Sequence, residues 1–409
     1  MSPAARGEVL LTGTTGFVGM ELLARYLERG DRRIVALVRA DGAAQAQARV
    51  DGVLENLFGA RAAEHRGRVD AVAGDVTLPG LGIAQRERER IAERVSTIVH
   101  SAASVSFTLP IDEAREINVA GTRRMLELAQ LAQERGGIDC FGHVSTAYVA
   151  GTHAGRFGEC QCNVGQAFHN SYEESKFEAE QLVRSQTSLP TKIMRPSIVV
   201  GDRNNGWTAA FNVLYWPLRA LSRGLFAAIP GSSSAPLDVV SIDYVADAVH
   251  ALCETGPARP GETYHLTAGA NASTIGEIVG RASRYFRRPA PRVVPPIEFA
   301  TLPPGSVAKD SALAAGSVYF PYFSLDAVFD DVETRARLEP AGIAPSPLHD
   351  YLDRLLDFAT RSRWGKRPIS RVDAFATPMG LPGRSSLSGQ QSGSHVRVPP
   401  VAPPLRVAS

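Results

Sequence analysis

Cysteine is scarce in this sequence. The four present (Cys140, Cys160, Cys162 and Cys253) are too few and too scattered to frame a 409-residue chain with disulfides, so a reducing, cytoplasmic setting is expected. Long apolar runs are also missing, which excludes a transmembrane helix. The first apolar run starts within a few residues of Met1, leaving no room for a signal peptide. Neither sign of charge dominates, with 44 Lys and Arg against 42 Asp and Glu. The small excess lies at the end: from Gly365 to Ser409 there are six basic residues and one acid, so the tail carries +5 and the body −3. A slightly acidic body with a short basic tail argues against a nucleic-acid partner.

What is present is alternation. Glu8–Thr12 is a short apolar run closed by glycines. Helical spacing of Val18, Leu22, Leu23, Tyr26 and Leu27 follows, and Arg33–Val38 reads as a second strand. Strand, turn, helix and strand within about forty residues make a βαβ unit. The rhythm continues to about position 200, with strands at Arg68–Ala73, Ser96–His100, Gly142–Val149 and Thr191–Met194 and helices over Ile111–Gln133 and Ser171–Ser185. This predicts an α/β fold, a Rossmann-type doubly wound parallel sheet over residues 1–202. Residues 203–364 are expected to form a smaller C-terminal substrate-binding α/β subdomain, from which the strand and helix at 237–256 rejoin the first domain. Trp207–Phe226 reads as an aromatic-rich helical stretch kinked at Pro217, and Arg287–Ser317 as irregular. Residues 365–409, rich in Ser, Gly, Pro and Arg, are expected to be a disordered basic tail.

The turn Thr12-Gly13-Thr14-Thr15-Gly16-Phe17-Val18-Gly19 carries the first site. Gly13 permits the tight turn, Gly16 lets the backbone approach a pyrophosphate, and Gly19 lets the helix pack on the sheet. Thr15, Phe17 and Val18 line the same turn, where free N–H groups meet phosphate at the positive end of the helix. The second strand ends in Arg39 where an NAD enzyme usually places a carboxylate, although Asp41 follows. Arg39, with Arg49 as a second partner, points to the 2′-phosphate of NADPH; a solvated surface charge is the other reading. Asp75 and Val76 follow the third strand, where they meet the adenine edge.

Tyr172 and Lys176 lie four apart on a predicted helix and so share a face. A nearby ammonium and a bound cofactor's positive ring are expected to lower the phenol from its usual value of about 10 towards neutrality. Tyr172 then exchanges a proton with an oxygen that gains or loses a hydride. Lys176 holds the nicotinamide ribose. Thr146 supplies a hydroxyl to the same oxygen; strand alternation turns Ser145 to the other face.

These motifs, in this order, resemble the extended short-chain dehydrogenases/reductases from Glu8 to about Gly365. Gly74-Asp75-Val76, His100-Ser101-Ala102-Ala103, Asn118-Val119-Ala120-Gly121-Thr122, Arg195-Pro196-Ser197 and Asp243–Val249 are similar to motifs of that group. The resemblance adds Ala102, Ala103, Pro196 and Ser197 to the cofactor-binding residues. Within the group, Leu37-Val38-Arg39-Ala40, Val105-Ser106-Phe107, His143–Tyr148 and Phe168–Glu180 resemble the male-sterility-type branch of thioester and fatty acyl-CoA reductases. That branch implies reduction of an acyl thioester, on CoA or a carrier protein, to an aldehyde and in some members on to an alcohol. A nucleotide-sugar epimerase or dehydratase, a hydroxysteroid or ketone reductase, and a catalytically silent NADP-sensing regulator are the alternatives. Arg39 argues against the NAD-retaining ones, and an intact Thr146, Tyr172 and Lys176 argues against the regulator.

Other features weigh less. Phe211, Leu214, Tyr215, Leu218, Leu221 and Leu225 fall at helical spacing, with Arg219 and Arg223 one turn apart. They read equally as a core helix or as a lid over an acyl chain, its arginines facing a phosphopantetheine phosphate or a membrane surface. Cys160 and Cys162 with His153 and His169 match no usual zinc spacing, so no metal is expected. His100 reads as a satisfied core histidine.

Overall fold

The computed structural model describes residues 7–211, 213–256, 258–302 and 317–376. Seven strands build the main sheet: β1 (Glu8–Thr12), β2 (Ile34–Val38), β3 (Val69–Ala73), β4 (Val95–His100), β5 (Cys140–Val144), β6 (Thr191–Pro196) and β7 (Glu262–Leu266). Their order is β7-β6-β5-β4-β1-β2-β3, and every pairing is parallel. This is the predicted doubly wound sheet. Strand order reverses between β1 and β4, and in such sheets ligands bind beyond the carboxyl ends at that point.

Burial on both faces explains the unbroken apolar runs in β1 and β2. Val9 and Leu11 point into one core, while Leu10 points into the other with Val35 and Phe141. Helices α1 (Phe17–Arg29) and α2 (Ala43–Phe58) cover the first face. Helix α3 (Gly121–Arg135) covers the second through Met125, Leu126 and Ala129. The segment expected as one helix over Ile111–Gln133 is interrupted. An α-helical turn at Ile111–Arg115 passes into a π turn at Glu116–Ala120 before α3 begins. The π turn carries Asn118, which is buried. Helix α4 (Ser171–Arg184) starts where the Asn170 side chain accepts the Glu173 N–H at 3.0 Å.

A second apolar core, built on α5 (Tyr215–Ser222) and α7 (Ile275–Phe286) and joined by α8 (Leu352–Arg361), also takes in Tyr148, Phe157, Ile198 and Val200 from the first 202 residues. Between α5 and α7 in sequence, α6 (Ile242–Glu254) packs beside α1, while Val239–Ser241 just before it pairs with Ile198–Val200 outside the main sheet.

Four expectations need correction. Glu262–Leu266 falls within the 203–364 span expected to form the second subdomain, but it pairs with β6 and forms the edge of the main sheet. Trp207–Phe226 is helical only from Tyr215 to Ser222. Pro217 does not kink it, because it lies in the first turn, where an N–H has no helical partner. Arg287–Ser317 is not wholly irregular, since Arg292–Val294 pairs with Ala228–Pro230 and Pro296–Thr301 is helical. Finally, the tail does not begin at Gly365. A helix, α9 (Arg371–Ala376), seats Arg371 between Glu21 at 2.7 Å and Glu28 at 2.9 Å, and the Trp207 indole donates to the Ile369 carbonyl at 3.2 Å. Arg371 is buried, so two carboxylates on α1 hold this segment. The rest of the predicted tail, 377–409, lies outside the described residues.

Candidate active site

The site begins at the carboxyl end of β1. Gly13 has φ +74°, and a Cβ there would lie 2.8 Å from Ser101 Oγ and 2.9 Å from Ala102 N. The loops after β1 and β4 therefore touch at the switch point. A Cβ on Gly19 would lie only 2.1 Å from the Gly13 carbonyl oxygen, so the first turn of α1 rests directly on the glycine turn. Gly16 is the N-cap of α1 and supplies no side-chain cap, which leaves the first N–H groups free to meet an anion. Phe17 packs its ring 5.7 Å from Trp207, fixing the start of the helix. Thr15 and Val18 sit on the same turn, both partly exposed.

The two arginines converge here. Arg49 donates to the Arg39 carbonyl and approaches Thr15 Oγ1 at 3.5 Å. Burial, and then the Arg39 charge, push Arg49 below its ordinary value. Among the described residues neither guanidinium pairs with a carboxylate, so two like charges face each other beside the glycine turn. Asp75 instead spends Oδ1 on Thr77, accepting from its N–H and its hydroxyl, each at 2.8 Å, which shapes the loop after β3. Val76 packs against Gly121 at the start of α3.

On the other side of the switch point, the Thr12 hydroxyl binds His100 Nδ1 at 2.8 Å and accepts the N–H groups of Ser101 and Ala102. His100 is a satisfied core histidine, held neutral by burial and then by the Lys176 charge, which lower it to about 3. Ala102 and Ala103 line the loop that follows. Asn118, on the π turn, accepts the Ser104 N–H at 2.8 Å and donates to Ser175 Oγ at 2.9 Å. It thereby ties the β4 loop to α4.

Helix α4 delivers Tyr172 and Lys176. The Tyr172 hydroxyl lies beside that of Thr146, and Thr146 Oγ1 donates to the Pro196 carbonyl at 3.4 Å. Ser197 lies next in the chain and is buried. Ser145 faces away, as alternation requires, and donates to Glu180 at 2.7 Å. Burial pushes Tyr172 up to about 12, which the neighbouring Thr146 hydroxyl only partly opposes. Lys176 is buried, donates to the Val144 carbonyl at 2.9 Å, and is brought down to about 8 by burial, which the Glu180 charge offsets in part.

Two supports are not among the expected site residues, although Glu173, Glu180 and Arg195 lie within the motifs that carry the resemblance. Glu180, one turn beyond Lys176, is fully buried and pairs with Arg195 and Arg184. Burial alone would raise this carboxyl, but the Arg195 guanidinium and then Arg184 hold it at about 2. Glu173 accepts the hydroxyl of Tyr322, whose ring stacks 5.5 Å from Phe107; Phe107 in turn stacks 5.8 Å from Tyr172. Tyr322 comes 150 residues after Tyr172, so only the fold joins them. Replacing Arg195 by methionine leaves the buried Glu180 with Arg184 as its one remaining cation and is expected to cost up to about 3 kcal/mol of folding stability, read by denaturant titration. Glu180 lies below its unfolded value, so its contribution is present above about 4.5 and is lost as pH falls towards about 2. The variant flattens that acid limb.

Cys160 is exposed and Cys162 partly buried. Among the described residues no group of three or more His, Cys, Asp or Glu is placed to hold a metal ion, and no helix is long and apolar enough to cross a membrane.

A parallel doubly wound sheet with a glycine turn at its switch point and a Tyr–Lys helix beside it defines a Rossmann-type, short-chain dehydrogenase/reductase-like protein. The NAD-binding family described as male sterility protein matches residues 11–249, and the chain belongs to it. Fatty acyl-CoA reductase wat of Drosophila melanogaster is 30% identical over 277 residues, covering 59% of this chain and 53% of the relative. Human fatty acyl-CoA reductase 1 is 28% identical over 319 residues, covering 68% of this chain and 61% of the relative. The chain thus spans between about half and three fifths of the length of these two relatives. Among solved structures, the terminal R domain from the myxalamid PKS-NRPS biosynthetic pathway superposes with a TM-score of 0.74 at 26% identity, over 90% of this chain and 94% of that one.

Proposed function

We propose that this chain is an NADPH-dependent reductase of an acyl thioester, carried on CoA or a carrier protein, giving an aldehyde and, with a second reduction, an alcohol. The observation that carries the reading is the Thr146–Tyr172 hydroxyl pair with Lys176 one helical turn along, set on the same sheet as the glycine turn. The relatives named fatty acyl-CoA reductase and the R domain support the substrate class.

The residues present fit a dinucleotide. The cradle at Gly13 and Gly19 has no room for a Cβ, the N-terminus of α1 is uncapped, and Arg39 and Arg49 lack carboxylate partners among the described residues. Gly13, Thr15, Gly16, Phe17, Val18 and Gly19 would hold the pyrophosphate, and Arg39 and Arg49 the 2′-phosphate. Asp75 and Val76 would border the adenine, and Ala102, Ala103, Pro196 and Ser197 the nicotinamide side. When bound, the cofactor supplies a hydride to the thioester carbonyl carbon.

Thr146 and Tyr172 then donate hydrogen bonds to the oxygen as it becomes an oxyanion. The phenol is protonated at neutral pH, so Tyr172 has a proton to give. Lys176 holds the ribose and, as a cation at neutral pH, favours the negative charge nearby. Collapse of the tetrahedral hemithioacetal breaks the C–S bond, releases the thiol and leaves the aldehyde.

Product identification by mass spectrometry after incubation with an acyl-CoA and NADPH is expected to show the aldehyde or alcohol of the same chain length; an unreduced free acid alone contradicts the reading. The Arg39→Ala/Arg49→Ala double variant is expected to weaken NADPH binding by about a hundredfold, two charge-assisted contacts of about 1.5 kcal/mol each. NADH binding should change little. Equal weakening of both cofactors would remove the arginines from the 2′-phosphate.

A further inference from the structure

A cavity in the second subdomain lies between α5 and α7. Its lining is aliphatic, proline and phenylalanine throughout, with Leu218 and Leu221 from α5, Ile275 and Ile278 from α7, and Phe226 and Phe323 closing it. The opposite side of α5 presents Trp216. From the catalytic tyrosine a file of rings leads to that helix: Tyr172 to Phe107 at 5.8 Å, Phe107 to Tyr319 at 5.9 Å, and Tyr319 to Trp216 at 6.1 Å. Trp216 contacts Phe226 at 5.8 Å, and Phe226 lines the cavity. The segment Ser317–Ser324 joins the two regions directly, since Tyr322 stacks on Phe107 while its neighbour Phe323 lines the cavity.

We propose that the acyl chain of the substrate runs along this aromatic file and ends in the cavity, which therefore sets the chain-length preference. The inference rests on the thioester reading above and adds a site to it. A carbon-lined cavity rejects the phosphates and amides of CoA or phosphopantetheine, which would lose their hydrogen bonds there. It accepts methylenes, each worth about fourfold in affinity when withdrawn from water. The occupant is thus the apolar end of the substrate, with the thioester left at Thr146 and Tyr172.

The test measures kcat/KM at saturating NADPH for butyryl-, octanoyl-, dodecanoyl- and hexadecanoyl-CoA. The wild type is expected to gain efficiency with chain length and then level off. Ile278→Phe and Leu218→Phe each add bulk to the cavity. They are expected to lower the dodecanoyl-to-butyryl ratio by about tenfold or more, the loss of about two methylenes of burial. NADPH binding and a cooperative melt confirm that each variant is folded. Should both fail to fold, Phe226→Ala removes a lining ring, which enlarges the cavity and is expected to move the plateau to longer chains. Folded variants that keep the wild-type chain-length profile overturn the proposal. So does a wild type that reduces butyryl- and dodecanoyl-CoA equally well, an outcome that leaves the thioester reading standing. A wild type that binds NADPH yet reduces no thioester of any length overturns both.

Discussion

Replacing Tyr172 with phenylalanine is expected to lower thioester reduction by about 10²- to 10⁴-fold while leaving NADPH affinity unchanged, the range usual for losing a positioned proton donor. The ring stays, so its stacking on Phe107 and the packing of α4 survive. What disappears is one hydroxyl of the pair that meets the developing oxyanion. Thr146 remains, with its second contact to the Pro196 carbonyl, so residual activity is expected. Thr146→Val should lose less than Tyr172→Phe, because the phenol also gives up a proton. The check is steady-state kinetics beside a fluorescence titration of NADPH. A Tyr172→Phe protein with wild-type turnover removes the tyrosine from the chemistry.

The second large effect is expected at a glycine. Gly19→Ala puts a Cβ 2.1 Å from the Gly13 carbonyl oxygen and 2.4 Å from its carbon, and both atoms are backbone. No side chain can swing away, so α1 must lift from the turn. The expected cost is about 1–3 kcal/mol of folding stability from overpacking. NADPH affinity should fall by about tenfold or more, since displacing the turn forfeits at least 1.4 kcal/mol of phosphate contact. Gly52→Ala is the control. It lies within α2 with no atom within 4 Å of the added Cβ, so that variant should gain about 0.5–1 kcal/mol from helix propensity alone. Calorimetry of both variants with and without NADPH separates the terms. Similar melting and binding for Gly19→Ala and wild type would mean the turn has slack that its backbone geometry denies.

The legible parts of this protein are those where one local pattern has one physical cause. The glycine turn, the apolar strands and the Tyr172–Lys176 spacing each follow from short-range geometry, and their placement at a switch point follows from the αβ rhythm. The rejected Ser145 was legible for the same reason, since alternation turns it to Glu180. What was not legible depends on partners far away in the chain. Burial raises the phenol of Tyr172, a contribution that its spacing to Lys176 does not show. The strand at 262–266 looked like part of the second subdomain because it follows a change of rhythm; pairing with β6, some 70 residues earlier, decides otherwise. Arg371 looked like tail because its surroundings are polar and rich in small residues, yet Glu21 and Glu28 on α1 hold it. Tyr322 is one more aromatic in a proline-containing segment until Glu173 and Phe107 are seen beside it.

On the proposed reaction, hydride addition at Thr146 and Tyr172 ends in scission of a carbon–sulfur bond. Free thiol and NADPH oxidation, followed together in one cuvette with dodecanoyl-CoA, test it most directly. The expected result is one CoA thiol released per NADPH oxidised if reduction stops at the aldehyde, or one per two if it proceeds to the alcohol, with both signals lost in Tyr172→Phe. NADPH oxidation with no thiol released, or thiol released with no NADPH consumed, would contradict it.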